Sequence, residues 1–422
     1  MSIKHLPSGL FPHFNCGFER RPYLVRMGQT MQLGCRLDES TADSVDLEIQ
    51  DARGCHRIAG TLCGTNDRGQ RYYSFIVETE QSGDFITYRF VTSNGDQSKE
   101  YVCPLLRELI LRPEKIWRES DRLHIAYEPD AQRFRVDILT SSYIMLVFSS
   151  NLTDKVCGFC PIDGSHDLNC AEWDQGKLIL RVSKDVCFRL EPSIQLLVDS
   201  KNRVYQISFQ ADMPGNAFYG LGEKYDRVNQ RGLKPHNYVV EKYTNQQETT
   251  YFPVPFLFSD AGVSFRQIGT YPSIFDLSGI HTDGYQRVAI TSRCPMQGIL
   301  FEATIHEGTT AQLLKAYSDE TGKPALPPIW AFGPWMSSNG WNTQKEAEEQ
   351  IRQMKQTAIP ATVMVLEAWS DEETFYIWVY YITKKAVFSG SLFLKYHVKT
   401  LLLHYFSSKC FIVLINTDKI NS

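Results

Sequence analysis

The sequence predicts a mainly β protein in which two consecutive β-sandwiches precede a strand–helix–strand unit. Three observations support this fold class. Short segments alternate apolar and polar residues through the first 310 residues, turn residues such as Ser82-Gly83 and Asn94-Gly95 separate them, and a helical period appears only after residue 342. Many short alternating strands with frequent turns are typical of sandwiches rather than of parallel sheets.

Residues 1–105 form the first predicted domain, an immunoglobulin-like β-sandwich, and residues 106–315 the second, a larger sandwich. The division lies near Cys103-Pro104, because one sandwich of about 100 residues cannot accommodate 310. The alternating segments that support both sandwiches are 45–49, 72–78, 85–91, 135–140 and 203–209.

Residues 316–378 are predicted to form a strand, a helix and a second strand. A Pro-rich entry leads into an apolar run that ends at Trp335, and Thr343 with Glu346 forms a capping box at a helix start. The apolar stripe of this helix consists of Ala347, Ile351 and Met354. The helix should end near Ile359-Pro360, and the run Ala361–Leu366 should form a strand that is buried on both faces of a parallel sheet.

The last 44 residues, 379–422, differ from everything that precedes them. They contain six Lys, one acidic residue, no Arg and no Pro, and their apolar residues follow neither a helical nor a strand period. We expect this segment to be unrelated or aberrant sequence.

The overall composition excludes several classes of protein. The 422 residues are 43% hydrophobic and 22% charged, which is ordinary for a soluble globular chain. A net charge of −4 argues against a nucleic-acid partner. No apolar run approaches the ~20 residues of a membrane span, and the first residues lack the apolar segment of a signal peptide. Eleven scattered cysteines indicate free thiols and a cytoplasmic location.

The candidate site follows the second parallel strand. Glu367 comes directly after Leu366, at the strand end where ligands gather in parallel sheets and barrels. A carboxylate beside an indole suits a sugar, because the acid accepts hydroxyl hydrogen bonds and the ring packs on the apolar sugar face. We therefore select Glu367, Trp369 and Trp335 as candidate substrate-binding residues. The alternative is a solvated acidic loop with packed tryptophans.

Two further motifs carry weaker signals. In segment 218–232 (FYGLGEKYDRVNQRG), Gly220 and Gly222 indicate a tight turn rather than a dinucleotide fingerprint, since no third glycine follows. The array Cys157, Cys160, His166 and Cys170 has residue types that bind zinc, but its spacing does not match a known knuckle. Free thiols in a loop are the favoured interpretation, and no metal is predicted.

Three stretches resemble glycoside hydrolase family 31, the family of α-glucosidases and α-xylosidases. They are FYGLGEKYDRVNQRG at 218–232, YFPVPFLFS at 251–259, and PPIWAFGPWMSSNGW at 327–341 together with IPATVMVLEAW at 359–369. The resemblance extends from about residue 200 to Trp378. It implies a galactose-mutarotase-like sandwich for 106–315 and the start of a (β/α)8 catalytic barrel for 316–378.

The resemblance also implies a chemistry. Family members are retaining α-glycosidases that use two aspartates on later barrel strands and need no cofactor. The acid after the second strand binds the sugar in the −1 subsite, a role that corresponds to Glu367, where Asp is commoner. A barrel takes about 250 residues, and only 96 extend from Pro327 to Ser422.

We therefore expect no catalytic residue in this chain, and an inactive α-glucosidase-like protein whose partner is an α-glucoside. Two alternatives stay open: a non-catalytic carbohydrate-binding protein, and a zinc-containing interaction module around Cys157–Cys170. Oligomerisation is compatible with all three.

Overall fold

The computed structural model describes most of the chain between Ser2 and Leu366. The described residues are 2–7, 17–38, 42–113, 115–119, 122–127, 134–140, 143–150, 171–174, 177–181, 187–240, 246–338 and 344–366.

The first sandwich consists of two antiparallel sheets. One has the strand order β1-β3-β7-β6 with β2 beside β3, and the other has the order β5-β4-β8-β9. In chain order, β1 to β9 are Ser2–Lys4, Arg20–Arg21, Met31–Asp38, Val45–Asp51, Gly54–Ala59, Thr61–Thr65, Arg71–Val77, Phe85–Thr92 and Tyr101–Pro104. The predicted strands at 45–49, 72–78 and 85–91 are thereby confirmed.

The two sheets of the first sandwich enclose one hydrophobic core. Val45, Leu47 and Ile49 of β4 are fully buried, as their alternation with polar residues predicts. They belong to the same core as Leu33 of β3 and Phe75 of β7, which lie in the other sheet. Burial of alternate side chains from both sheets is what holds a sandwich together.

The second sandwich is larger and also antiparallel. Its ten-stranded sheet has the order β15-β16-β17-β19-β26-β24-β21, with β18 and then β10 beside β19, and β25 beside β26. Its eight-stranded sheet has the order β11-β12-β13-β14-β27-β23-β22-β20. In chain order, β10 to β27 are Arg107–Leu111, Lys115–Glu119, Arg122–Tyr127, Phe134–Thr140, Ile144–Ser150, Ala171–Asp174, Lys177–Arg181, Cys187–Leu190, Ile194–Val198, Val204–Pro214, Phe218–Gly220, His236–Asn237, Phe256–Ser259, Val263–Ile268, Ser273–Asp276, His281–Thr282, Tyr285–Arg293 and Gly298–Glu307.

Helix α1, Thr310–Thr321, follows the last of these strands. Its start is a capping box, in which the Thr309 N–H donates to Gln312 Oε1 (2.8 Å) and the Gln312 N–H donates to Thr309 Oγ1 (3.4 Å). The ring of Tyr317 packs on the ring of Phe256 of β22, with 4.6 Å between the two ring centroids. The compact unit that begins the chain extends to Thr321, so the predicted domain boundary at 315/316 falls inside this helix.

The second compact unit begins at Gly322. Its described elements are a 3₁₀ turn at Ile329–Phe332, β28 at Trp335–Ser338, helix α2 at Gln344–Gln356 and β29 at Val363–Leu366. The predicted strand, helix and strand are all present. The apolar run before Trp335 forms the 3₁₀ turn, however, and the strand starts only after Gly333 and Pro334. Among the described residues, no helix is both long and apolar enough to cross a bilayer.

Candidate functional site at a parallel strand pair

Strands β28 and β29 are parallel neighbours, and helix α2 lies between them in sequence. Trp335 pairs with Val363 at one end of the pair, and Ser338 pairs with Leu366 at the other. The carboxyl ends of both strands therefore lie side by side at Ser338 and Leu366. In parallel sheets and barrels this is the edge at which ligands bind.

Strand β29 buries side chains on both of its faces. Met364 packs against Ala347 of helix α2, and both are buried. Val363 and Val365 form a separate cluster with Trp330. Because successive strand residues point to opposite faces, the helix covers one face, and Val363 with Val365 marks the other. The continuous apolar run predicted for a doubly covered parallel strand is confirmed for these residues.

Of the three predicted site residues, Trp335 is the one that the structure describes; Glu367 and Trp369 lie outside the described residues. Trp335 is 46% exposed, and its indole N–H donates to the Ala331 carbonyl oxygen at 3.0 Å. It begins strand β28, so it lies at the amino end of the strand pair. Three residue steps, about 10 Å, separate it from the ligand-binding edge at Ser338.

Ser338 is the residue of β28 that reaches this edge, and the sequence analysis does not select it. The predicted strand lies in the apolar run that ends at Trp335, which would put Trp335 itself at the carboxyl end. In the structure this run forms the 3₁₀ turn, so the strand lies further along the chain. The Gly333-Pro334 pair, which interrupts the run directly before Trp335, is the signal that marks the later start.

The turn at Gly220 and Gly222 is confirmed as a glycine-dependent structure. Gly220 has φ +104° and Gly222 has φ +88°, values that L side chains rarely adopt. A Cβ atom at Gly222 would lie 2.0 Å from the Phe252 carbonyl oxygen, and one at Gly220 would lie 2.2 Å from that of Phe256. The turn therefore brings two backbone segments closer together than any other residue type permits.

Lys224 follows this turn and is mostly buried. Its ammonium group donates to the carbonyl oxygens of His236 (3.0 Å) and Glu248 (3.2 Å). Burial lowers the pKa of Lys224 to about 8. Because these two hydrogen-bond partners are backbone carbonyls, Lys224 holds the turn against the segments around residues 236 and 248, which is a structural role.

The cysteine and histidine array at 157–170 lies outside the described residues. Within the part of the chain that the structure covers, no group of three or more His, Cys, Asp or Glu side chains is arranged to hold a metal ion. The described cysteines are free thiols: Cys35, Cys55, Cys63, Cys103, Cys187 and Cys294.

Two family models match separate parts of this chain. The glycosyl hydrolase 31 N-terminal galactose mutarotase-like domain matches residues 165–271, within the second sandwich. The glycosyl hydrolases family 31 TIM-barrel domain matches residues 324–402. The second match includes β28, α2 and β29, and it continues beyond Trp378, where the sequence analysis ends the resemblance.

Curated relatives are similar over part of the chain. An isomaltosyltransferase from Sporosarcina globispora is 38% identical over 162 residues, which are 38% of this chain and 14% of that protein. A 1,3-alpha-isomaltosidase from Kribbella flavida is 30% identical over 200 residues, which are 45% of this chain and 27% of that protein. The matched segments thus span about a seventh and about a quarter of these relatives.

Solved structures share the fold over a larger part of the chain. The cycloalternan-forming enzyme from Listeria monocytogenes, solved with a pentasaccharide substrate, has a TM-score of 0.65 at 23% identity and covers 90% of this chain and 38% of its own. The cycloalternan-degrading enzyme from Trueperella pyogenes, solved with cycloalternan, has a TM-score of 0.54 at 20% identity and covers 88% and 46%. The two family models and the curated relatives agree: residues 165–271 match the N-terminal galactose mutarotase-like domain of glycosyl hydrolase family 31, and residues 324–402 match the TIM-barrel domain of the same family.

Proposed function

We propose that this chain carries the sandwich domains and the first barrel unit of a retaining α-glycosidase that acts on an α-glucoside. The observation that carries the proposal is the parallel edge at Ser338 and Leu366, which lies within the residues matched by the TIM-barrel model. The names of the relatives support the substrate class, since an isomaltosyltransferase and an isomaltosidase both act on α-linked glucose units.

Glu367 is the proposed substrate-binding carboxylate at this edge. It follows Leu366 directly, and the two-residue period of a strand relates position 367 to Val363 and Val365 rather than to Met364, which faces helix α2. A carboxylate on the face away from the helix suits a barrel, whose ligands bind inside the ring of helices. Its role is to accept hydrogen bonds from sugar hydroxyls, with Trp369 as the ring against which the sugar packs.

We further propose that the 422-residue polypeptide, taken alone, does not hydrolyse glycosides. Retention requires a nucleophile and a general acid about 5–5.5 Å apart, and the family places both on later barrel strands. The 96 residues from Pro327 to Ser422 are fewer than the roughly 250 that a closed barrel takes. The expected activity therefore belongs to a polypeptide that contains the whole barrel.

Incubation of the purified chain with an aryl α-glucoside tests the proposed inactivity. We expect no release of the aryl alcohol above that of a mock preparation, because neither reacting carboxylate is assigned in this sequence. Turnover that purifies together with the chain would contradict the proposal.

Sequencing transcripts across the codons for Trp378 and Val379 tests the origin of residues 379–422, since an in-frame barrel continuation would identify the active parent.

The second candidate function is non-catalytic carbohydrate binding. The observation that favours it is that most of the described chain forms two complete sandwiches that do not depend on the barrel for their cores. Calorimetric titration with maltose and isomaltose separates the two, because a binding protein gives saturable heat and an incomplete enzyme does not. A Glu367→Gln variant then shows whether such heat arises at the barrel edge or elsewhere.

We also propose a cytoplasmic location. The six described cysteines, both buried and exposed, are free thiols, and this state is stable in a reducing compartment. Expression of the protein in an oxidising compartment, followed by mass spectrometry of its thiols, tests the proposal. Retention of free Cys55 and Cys63, which are exposed, together with full expression would contradict it.

A further inference from the structure

A cavity of about 720 Å³ opens between the first sandwich and the ten-stranded sheet of the second. Tyr23 contributes from the first sandwich, while Asn237, Ser273 and Arg293 contribute from β21, β24 and β26. The volume falls in the range of small-molecule sites, and such sites occur preferentially where two folded parts meet. The cavity lies wholly within the first compact unit and involves no barrel residue.

Two buried polar side chains that line the cavity have no hydrogen-bond partner within the described chain. Asn237 is 6% exposed, and both its amide nitrogen and its amide oxygen are unpaired. Ser273 is 2% exposed, and its hydroxyl is unpaired. The two residues are opposite each other in the β21–β24 register. Because an unpaired buried polar group is destabilising, such a cluster points to a ligand that supplies the missing partners.

Arg293 brings a positive charge to the same cavity. Its guanidinium lies 3.5 Å from the centre of the Tyr23 ring, and burial lowers its pKa. Among the described residues, no carboxylate lies within ion-pair distance of it, and Arg20 adds to the local positive charge. Arg287 of the same strand is, by contrast, paired with Asp212. A buried cation is normally neutralised by an acidic partner, so the cavity selects an anion.

Tyrosine rings supply the apolar part of the lining. Tyr23, Tyr238 and Tyr271 all border the cavity, and Tyr271 is 45% exposed. The Tyr238 hydroxyl is hydrogen-bonded to His236 Nδ1 at 2.9 Å, which fixes its ring. Tyrosine combines a flat apolar face with a polar tip, and this combination fits the face and the hydroxyl rim of a pyranose.

We propose that this cavity binds a saccharide that bears a carboxylate or a sulfate group. The acid group pairs with Arg293, the sugar ring packs against the tyrosines, and sugar hydroxyls satisfy Asn237 and Ser273. The inference does not rest on the proposed glycosidase activity, because none of these residues belongs to the barrel.

Calorimetric titration of the full 422-residue chain tests the proposal. The ligands are methyl α-D-glucuronide, glucose 6-sulfate, methyl α-D-glucoside and inorganic sulfate. We expect saturable binding of at least one acidic sugar, at least tenfold tighter than that of the neutral glucoside and of sulfate alone. Binding of the neutral sugar with equal affinity would overturn the proposal, as would equal binding of sulfate or the absence of saturable heat with both acidic sugars.

Three variants locate the bound sugar. Arg293→Gln should weaken binding of the acidic sugar at least tenfold, and Tyr271→Ala should weaken it several-fold without disturbing the fold, since that ring is half exposed. Arg189→Gln is the matched control, because Arg189 also stacks on a tyrosine, Tyr285 at 3.8 Å, but does not line the cavity. Binding that survives both Arg293→Gln and Tyr271→Ala would overturn the assignment.

Discussion

At the scale of single residues, His5 shows how burial turns a histidine into a source of acid sensitivity. The ring lies between the two sheets of the first sandwich, where Nδ1–H donates to the Gly34 carbonyl oxygen (2.7 Å) and Nε2 accepts from the Tyr88 hydroxyl (2.9 Å). These two bonds fit the neutral tautomer. Burial is the largest cause that lowers the pKa of His5, to about 4.

We predict that the first sandwich loses stability as the pH falls from 6.5 toward 4. The unfolded chain binds a proton on His5 with an ordinary pKa near 6.5, whereas the folded chain does not until about pH 4. Stability is therefore fully present above pH 6.5, and about 2–3 kcal/mol is lost by pH 4.5. Hydrogen exchange of the amides in β3 and β8, corrected for intrinsic rates, measures the change. A His5→Gln variant removes the titration, and the prediction fails if its loss over the same range equals that of the parent.

The turn at Gly222 leads to a second residue-scale prediction. Gly222→Ala should lower the free energy of unfolding by roughly 2 kcal/mol or more, because the new Cβ atom meets the Phe252 carbonyl oxygen and φ is positive. Gly284→Ala is the control, since Gly284 has φ +76° but open space around the Cβ position. Gly284→Ala should lower the free energy of unfolding by only about 1 kcal/mol, which is the cost of holding alanine in a left-handed backbone conformation. Thermal unfolding midpoints give both values, and equal shifts would show that close approach is not the cause.

At the scale of secondary-structure elements, Glu320 holds helix α1 against the second sandwich. Its carboxylate accepts from His306 Nε2 of β27 (2.6 Å) and pairs with Arg266 of β23. Burial opposes the charged form, but the partners His306 and Arg266 outweigh it and keep the pKa of Glu320 below its usual value. The stabilisation is therefore present at neutral pH and is lost as the pH falls through the lowered pKa.

Glu320→Gln should loosen helix α1 by about 1–2 kcal/mol, because it removes the charge from a partly buried pair and leaves Arg266 without its partner. The measurement is hydrogen exchange of amides 310–321. Asp319→Asn is the matched control in the same helix turn, since Asp319 pairs with Lys315 at an exposed position, where such pairs contribute little. Faster exchange in both variants alike would mean that helix charge, rather than docking, controls the element.

Helices α1 and α2 show why the sequence predicts one element and not another. Helix α2 is predicted because its capping residues and the stripe Ala347, Ile351 and Met354 are isolated by Gly and Pro on either side. Helix α1 begins three residues after β27, so its signal merges with the preceding strand. The pair Thr309 and Gln312 is a capping box that could have revealed it.

The candidate site is predictable only in part for a related reason. The strand Val363–Leu366 follows from an apolar run whose end is clear in the sequence, while the place of Glu367 after it stays a prediction. The position of Trp335 depends on where β28 begins, and a short apolar run does not distinguish a 3₁₀ turn from a strand. The cavity around Arg293 gives no sequence signal at all, because Tyr23 is about 270 residues away from Arg293 and only the pairing of sheets brings them together.

At the scale of the whole molecule, the second compact unit has a cluster of exposed apolar side chains near its start. Leu326 is 92% exposed, Ile329 is 89% exposed and Phe332 is 69% exposed, all within seven residues. In the described part of this unit, β29 has hydrogen-bonded partners on one side only, the side of β28. A family 31 barrel would supply further strands and helices to such surfaces. Exposed apolar patches and open strand edges otherwise favour association between chains.

We therefore predict that the 422-residue chain self-associates and binds a hydrophobic dye through residues 326–332. A Leu326→Glu and Ile329→Glu double variant should reduce dye fluorescence several-fold and shift the sedimentation profile toward monomer, because charges there repel neighbouring copies and lower the apolar area. Ile280→Glu is the control, since Ile280 is 70% exposed but belongs to the first compact unit. If that control reduces association as strongly as the double variant, the self-association surface lies on the sandwiches rather than on the barrel unit. If only the double variant does so, the first barrel unit depends on elements outside its described residues for its solubility.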